Sequence, residues 1–411
     1  MRSVLANQHF RVVFVGATVS NIGTWMQNFT LPAYIDQRTS SAALVGLLVF
    51  AQLGPLLVLS VPAGVVADRV NRTRLVITMQ CTMLLLSLVL AALVRSDASL
   101  WTIFIAQIGM GVANTVQAPA FSSSLPMLVS REQLPAAVSL NSAMINGSRI
   151  MGPAVAAVAA VLGAELWQLF VINAATYVVF IASLRRVGLP RPETSRSQGW
   201  RSLTDGVRLS AHRPILGRVL LTMFSFSLIC LPYIGLFPSV ARMNFNVDPD
   251  GTTYRLLYVT WGIGAFVGSL AVGSLFSGYD RRPLLRASYV VFSAALAVFG
   301  VTEHVGLAFC VAPILGASYF MIATLLVTEL QMNLDDADRA SVMPLWFMVF
   351  GGTVPVGNVI AGPIMDAVGA RPVLVTGALV AILIGYAGDI GRSERRDLAG
   401  TSPASNPSRQ I

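Results

Sequence analysis

The chain has 411 residues, of which 55% are apolar and only 11% charged. Soluble domains carry about a quarter charged residues, so a pair of ordinary water-facing domains is excluded, as is a disordered chain. Three cysteines, Cys81, Cys230 and Cys310, each inside an apolar run, rule out a disulfide scaffold. What remains is a polytopic membrane protein, in which the net charge of +9 matters through its placement.

Apolar runs of roughly 18 residues or more, the length needed to cross a bilayer, predict twelve helices. They are α1 over 11–34, α2 over 43–63, α3 over 75–94, α4 over 101–126, α5 over 137–162 and α6 over 165–184. The second set is α7 over 214–240, α8 over 255–276, α9 over 286–302, α10 over 305–329, α11 over 342–366 and α12 over 371–390. The first run contains Asn21, Trp25, Gln27 and Asn28 and has no small-residue cleavage site, so it reads as a retained helix. All 28 basic residues are Arg. With the N-terminus inside, 22 of them fall on inner segments and five on outer loops, while Arg149 lies within a span. By the positive-inside rule both termini are cytoplasmic, and the span count is even.

A polar stretch over 185–213 separates an N-terminal six-helix bundle (1–184) from a C-terminal one (214–390). It reads as a cytoplasmic linker, and 391–411 as a cytoplasmic tail. The halves echo each other. GVVADRVNRTR from Gly64 aligns with GSLFSGYDRRP from Gly273 at a shift of 209, pairing Arg72 with Arg281. Gly152-Pro153 and Gly163 in α5 correspond to Gly362-Pro363 and Gly369 in α11, at shifts of 210 and 206. The expected fold is therefore an all-α integral membrane protein, with twelve transmembrane helices in two pseudo-symmetric bundles.

Within the Gly64–Arg74 loop, Gly64 permits close helix approach, Asp68 can accept from a facing helix N-terminus, and Arg69, Arg72 and Arg74 can pair with carboxylates or lipid headgroups. This reads as a charged gate on the cytoplasmic side, although the same charges also satisfy the positive-inside rule. Arg149 is about twelve residues into α5, roughly 18 Å along a hydrocarbon core of about 30 Å. Its guanidinium cannot lose its charge there, and an Arg facing lipid costs at least a few kcal/mol. Ser142, Asn146, Arg149 and Pro153 share one face, which should line a watery cavity. No carboxylate lies at that depth, so the partner is either amide oxygens and water or an anionic part of a substrate.

Two more stripes, Asn21, Trp25 and Asn28 on α1 and Gln107, Asn114 and Gln117 on α4, extend the same expected cavity, or else serve as interhelical glue. Gly147, Gly152 and Pro153 predict a bend in α5, because Gly lets helices approach closely and Pro removes a backbone bond. In α8, Gly264 and Gly268 read as packing positions. Asp36 and Glu329 are the titratable candidates for carrying a proton, each weighed against a solvated helix-end charge.

These residues resemble the major facilitator superfamily, in its branch of drug and siderophore exporters. The inner-loop pattern is matched by Gly64, Ala67, Asp68, Arg69 and Arg72, and the first-helix pattern by Arg11, Ser20, Asn21, Gly23, Trp25, Met26 and Gln27. The resemblance departs at Gln117, where an acid is expected, at Phe121, where Arg is expected, and at Ala156 and Ala157, where the family often has Gly. It implies a non-enzymatic secondary transporter exporting a bulky organic compound by proton antiport. The helix 5 Gly-Pro element is one the family associates with antiporters. The alternatives are uptake of an organic anion, or a membrane sensor that transports nothing. No cofactor or metal is called for. The expected partners are a small-molecule substrate, protons and the lipid bilayer, with no nucleic acid, for a monomer in the cell membrane.

Overall fold

The protein is described by a computed structural model covering residues 2–190, 200–276 and 278–388, with a few side chains, Asp68 and Asn146 among them, left aside. The expected tail over 391–411 lies outside the described residues. Twelve helices stand where apolar runs predicted them. They are α1 Gln8–Thr39, α2 Ala42–Arg69, α3 Arg72–Arg95, α4 Leu100–Ser124, α5 Leu134–Val161, α6 Leu166–Val187, α8 Thr252–Gly273, α9 Arg281–Val301, α10 Val305–Met332 and α12 Ala370–Ala387, with α7 over 214–245 and α11 over 336–368.

Among the described residues, nine helices are by themselves long and apolar enough to cross a membrane. The polar stripes of α1 and α4 lower their hydropathy, and α7 is broken by a π-helical turn at Phe226–Cys230 and by Pro232. A similar π turn, Met348–Gly352, interrupts α11. Large apolar side chains such as Ile105, Val158 and Leu383 are more than half exposed. In water that belt would aggregate, whereas in a bilayer it is the outer wall.

Packing within each half repeats. α3 lies on α6 and α9 on α12, α2 on α4 and α8 on α10, α1 on α5 and α7 on α11. Between halves the principal contacts are α2 with α11 and α5 with α8, which exchange under the same pseudo-twofold. Equivalent residues do equivalent work. Gly163 and Gly369, aligned from sequence, both adopt left-handed backbone, φ 82° and 85°, where α5 and α11 end. Arg72 at the start of α3 donates to Ser124 Oγ at the end of α4 (3.5 Å), and Arg281 at the start of α9 pairs with Glu329 near the end of α10 (3.8 Å). Gly264 and Gly268 of α8 lie directly against the backbone of Pro313 and Ala317, so the expected packing role holds.

The part of the linker that follows residue 199 is helical. Trp200–His212 forms an amphipathic helix, and Leu203–His212 meets the start of α7 at 111°. Leu203 and Ser210 are buried, Gly206 abuts the Ser341 carbonyl, and Arg213 bridges Asp335 (3.3 Å) and Asp338 (3.2 Å). The 203, 206, 210 and 213 spacing was a helical face visible in the sequence.

The halves meet unevenly along the membrane normal. The principal contacts of α2 with α11 follow the 348–368 part of α11 and not Asp336–Phe347. The bundles are thus sealed toward the face that carries the α1–α2 turn, named the outer face below after the positive-inside expectation, and part toward the basic face that carries the linker.

Candidate functional site

Arg149 sits at the seam between the two bundles. Its guanidinium carbon lies 4.9 Å from the centroid of the Trp25 ring of α1 and 5.9 Å from that of Phe320 of α10, so an aromatic face from each bundle borders one cation. Behind Phe320, Trp261 of α8 and Tyr319 of α10 stack at 6.2 Å, and Trp261 Nε1 donates to Tyr233 Oη (3.1 Å). A cleft lined by Arg149, Ile150, Trp261, Gly262, Ala265, Phe266, Ser269 and Phe320 adjoins the cation.

Packing decides why Arg149 points here. Gly152, one turn onward, allows α5 to lie on α1, since an added Cβ would come within 2.5 Å of the Met26 amide nitrogen. That close approach brings Trp25 over the guanidinium. Gly262 leaves room for Ile150 on the α8 side in the same way. Gly152 is therefore a close-packing position. Gly147 has nothing within 4 Å of an added Cβ and contributes no such contact. Pro153 lies inside an α5 that remains a single helix from Leu134 to Val161.

The sequence expected Arg149 to face amide oxygens and water, or a substrate. Among the described residues no carboxylate or amide oxygen pairs with it, and Nε is buried without a hydrogen-bond partner. The cleft beside the guanidinium has room of about 20 Å³, enough for about one water. Aromatic rings border the guanidinium, and the Arg149 side chain is itself only partly buried. Ring quadrupoles attract the cation, an interaction of about 1 kcal/mol where the charge keeps part of its hydration.

The α4 stripe faces elsewhere. Gln107 is buried, with its Oε1 unpaired. Gln117 accepts from Gln80 Nε2 of α3 (2.7 Å) and donates to Asn114 Oδ1 (3.3 Å), while Gln80 accepts from Ser20 Oγ of α1 (3.3 Å). Gln117 and Gln80 thus tie helices of the N-terminal bundle together and, with Gln107, are buried within it, while Asn114 of the same stripe is exposed: periodicity marks a polar face but not the neighbour each side chain meets. Where relatives were expected to have an acid and an Arg, the chain has this amide network and Phe121 edge-on to Phe180 (5.3 Å). On α1, Asn21 donates to the Ala17 carbonyl of its own helix (3.0 Å), and Asn28 is half-buried. Asn146 and Asp68 carry side chains outside the description.

Among the described side chains of the Gly64–Arg74 loop, the contacts shown fall within one bundle. Arg72 is buried against α4 as above, Asn71 caps α3 by accepting from the Arg74 amide (3.1 Å), and Arg69 and Arg74 are exposed. Gly64 has nothing within 4 Å of an added Cβ, so it makes no close helix approach here. Glu329 is tied within the C-terminal bundle by Arg281, and Asn333 Nδ2 donates to it (3.3 Å).

Sequence reasoning missed the partner of Asp36. Asp36 is wholly buried and accepts from Arg242 Nε (2.7 Å) and Nη2 (3.0 Å) and from Ser239 Oγ (2.5 Å), all on α7 of the other bundle. It was a helix-end carboxylate in the sequence, and nothing local pointed to a residue more than two hundred positions away. Asp366 of α11 likewise accepts from Ser41 Oγ (2.8 Å) and the Ala42 (2.7 Å) and Ala43 (3.0 Å) amides at the start of α2.

Comparison with known proteins places this architecture. Residues 2–408 match the family described as transmembrane secretion effector. The enterobactin exporter of Shigella boydii is 25% identical over 346 residues, covering 82% of this chain and 80% of that protein. The enterobactin exporter of Citrobacter koseri is 26% identical over 344 residues, with the same coverage. Among solved structures, the nucleoside transporter NupG superposes with a TM-score of 0.72 at 14% identity, over 94% of this chain and 99% of that one. A bacterial homologue of the iron transporter ferroportin, in its inward-facing state, gives 0.70 at 14% identity over 93% and 98%.

Proposed function

The chain belongs to the transmembrane secretion effector family of the major facilitator superfamily, and from that premise we propose that it exports a bulky organic molecule across the cell membrane in exchange for protons. Transport proceeds by alternating access, the two bundles rocking about the seam at Arg149. The observation that carries this reading is the cation itself: a permanent charge at mid-depth, without a counter-ion among the described residues, set between aromatic rings of both bundles. A site that places Trp25 and Arg149 on one bundle and Phe320 on the other changes shape whenever the bundles rock, and the free charge suits an anionic group on the cargo. The parted basic face, with both termini in the cytoplasm by the positive-inside rule, is where the cargo enters. The relatives' names support the outward direction. Substrate, protons and lipid are the partners of what we take to be a monomer.

The test is efflux from cells overproducing the protein, using a panel of organic dyes with and without a protonophore. Gradient-dependent loss of dye supports export. Raised accumulation supports the second reading, uptake of an organic anion, which the unpaired cation also favours. No movement in either direction, in cells and in liposomes, overturns the transporter reading and leaves the sensor.

A further inference from the structure

The outer face is shut by two carboxylates that each cross from one bundle to the other. Asp36 belongs to the N-terminal bundle and takes its donors from α7. Asp366 belongs to the C-terminal bundle and takes its donors from the start of α2. The first is a two-pronged, charge-assisted pair, reinforced by the Ser239 hydroxyl. The second satisfies two orphan N–H groups at a helix N-terminus, where a negative charge is also favoured by the dipole. Both contacts join surfaces that must separate for cargo to leave on that side.

The same seam reaches the central cation. Trp25, Phe29 and Asp36 fall on one face of α1, since eleven residues bring a helix back to within about 20° of its starting direction. Trp25 lies over Arg149, and Phe29 packs on Tyr254 (5.0 Å) and Tyr258 (4.8 Å) of α8. One helix face therefore carries the ring at the cation and the carboxylate at the outer seal.

We propose that Asp36 with Arg242 and Ser239, and Asp366 with the N-terminus of α2, form a paired latch that holds the outer face closed, and that Asp36 is a positioning residue of this latch and not the seat of the transported proton. This rests on the transporter reading only for its purpose; the latch itself is a statement about which contacts hold two bundles together. Asp36 is wholly buried on the sealed side, away from the face where the bundles part, so it has no route by which to deliver a proton there. The charged and titratable groups around it are Arg242 of α7, Tyr254 of α8 and, on the far side of Arg242, Asp366 of α11. On its own helix Arg38 is engaged with Asp97 (3.2 Å). Arg242 is the cation shared between the two acids, touching Asp36 and acting on Asp366 through space.

The experiment places spin labels at the outer ends of α5 and α9, at Leu162→Cys and Val301→Cys, in full-length protein whose three native cysteines have been replaced. The distance distribution is compared among the labelled parent, Asp36→Asn, Arg242→Gln, Asp366→Asn and the charge swap Asp36→Arg with Arg242→Asp. Each single change should raise the long-distance population roughly tenfold relative to the closed one, and the swap should restore it at least in part. Distributions unchanged in all three single variants overturn the latch. So does a swap that opens the face further than either single change. Asp366→Asn leaves no buried Arg unpaired, and so reads the latch even if a change at Asp36 prevents insertion. Proton dependence separates the two roles of Asp36. A variant that widens the outer face and still exports in response to a pH gradient bears out the latch, whereas loss of gradient response with unaltered distances makes Asp36 the carrier. A protein that opens as expected but moves no compound sinks the transport reading and leaves the latch standing.

Discussion

Arg149 and Trp25 lie on different helices of the N-terminal bundle, yet the guanidinium carbon of one stands 4.9 Å from the ring centroid of the other. Their contact exists because Gly152 lets α5 press on the backbone of α1 at Met26. The pair then faces Phe320 from the opposite bundle.

Replacing Arg149 with Ala should abolish export while leaving expression and membrane insertion intact, because the change removes a partly buried charge and strands no counter-ion among the described residues. Arg149→Lys keeps a charge but loses the planar face that stacks on Trp25, and should retain no more than about a tenth of the activity. Liposome transport at matched protein levels measures both. Wild-type rates in Arg149→Ala would remove this residue from the site.

The Trp25 contact should be separable from the charge. A double-mutant cycle with Trp25→Leu and Arg149→Gln, read by thermal unfolding in detergent, should give a coupling of about 1 kcal/mol. Additive effects would mean that the ring and the cation are neighbours without interacting.

Gly152→Val should be among the most damaging single changes in the chain. A branched side chain there runs into backbone at Met26 and Trp25, which cannot move aside as a flexible side-chain tip would. Loss of folded protein is expected, at a cost of roughly 2 kcal/mol or more. By contrast, Gly147→Ala should be neutral, since an added Cβ meets open space. Equal expression and melting temperature of the two variants would contradict the packing argument.

Asn358 of α11 is wholly buried, and neither of its amide atoms has a hydrogen-bond partner among the described residues. It is wedged where α2, α7 and α11 meet, against Gly46 and Gly235. Asn358→Leu removes two unmatched polar atoms while keeping the same branching, and should stabilise the sealed form by about 1 kcal/mol. A higher melting temperature with slower turnover is the expected signature. A lower melting temperature would show that the amide is satisfied in the sealed state.

Glu303 supplies a control for pH experiments. The Arg371 guanidinium beside it (2.6 Å) holds its carboxyl below the usual range. A depressed carboxylate value contributes stability that is present above the unfolded value and is lost as pH falls through the folded one. The pair is on the surface, where such bridges contribute little. Glu303→Gln should therefore leave both the melting temperature at neutral pH and the pH dependence of export unchanged, which a shift in either would refute.

Much of this protein was settled by composition and pattern alone. Twelve apolar runs, the Arg asymmetry and the repeat at a shift near 209 specify two matching bundles, because a bilayer admits only helices that satisfy their own backbone and tolerates charge chiefly at their ends. For the same reason Arg149 stood out at once, since a cation at mid-depth is costly unless something receives it. The tertiary structure alone decided where each polar face turns. Gln107 and Gln117 share a stripe spacing with the residues of α1, yet they look into the bundle core. Asp36 resembled any helix-end acid until Arg242 came to it from the other half of the chain. A helical period fixes the angle between side chains on one cylinder, but the neighbour each side meets depends on how the cylinders are arranged, which in this chain turns on glycines such as Gly152 and Gly262 that let helices touch.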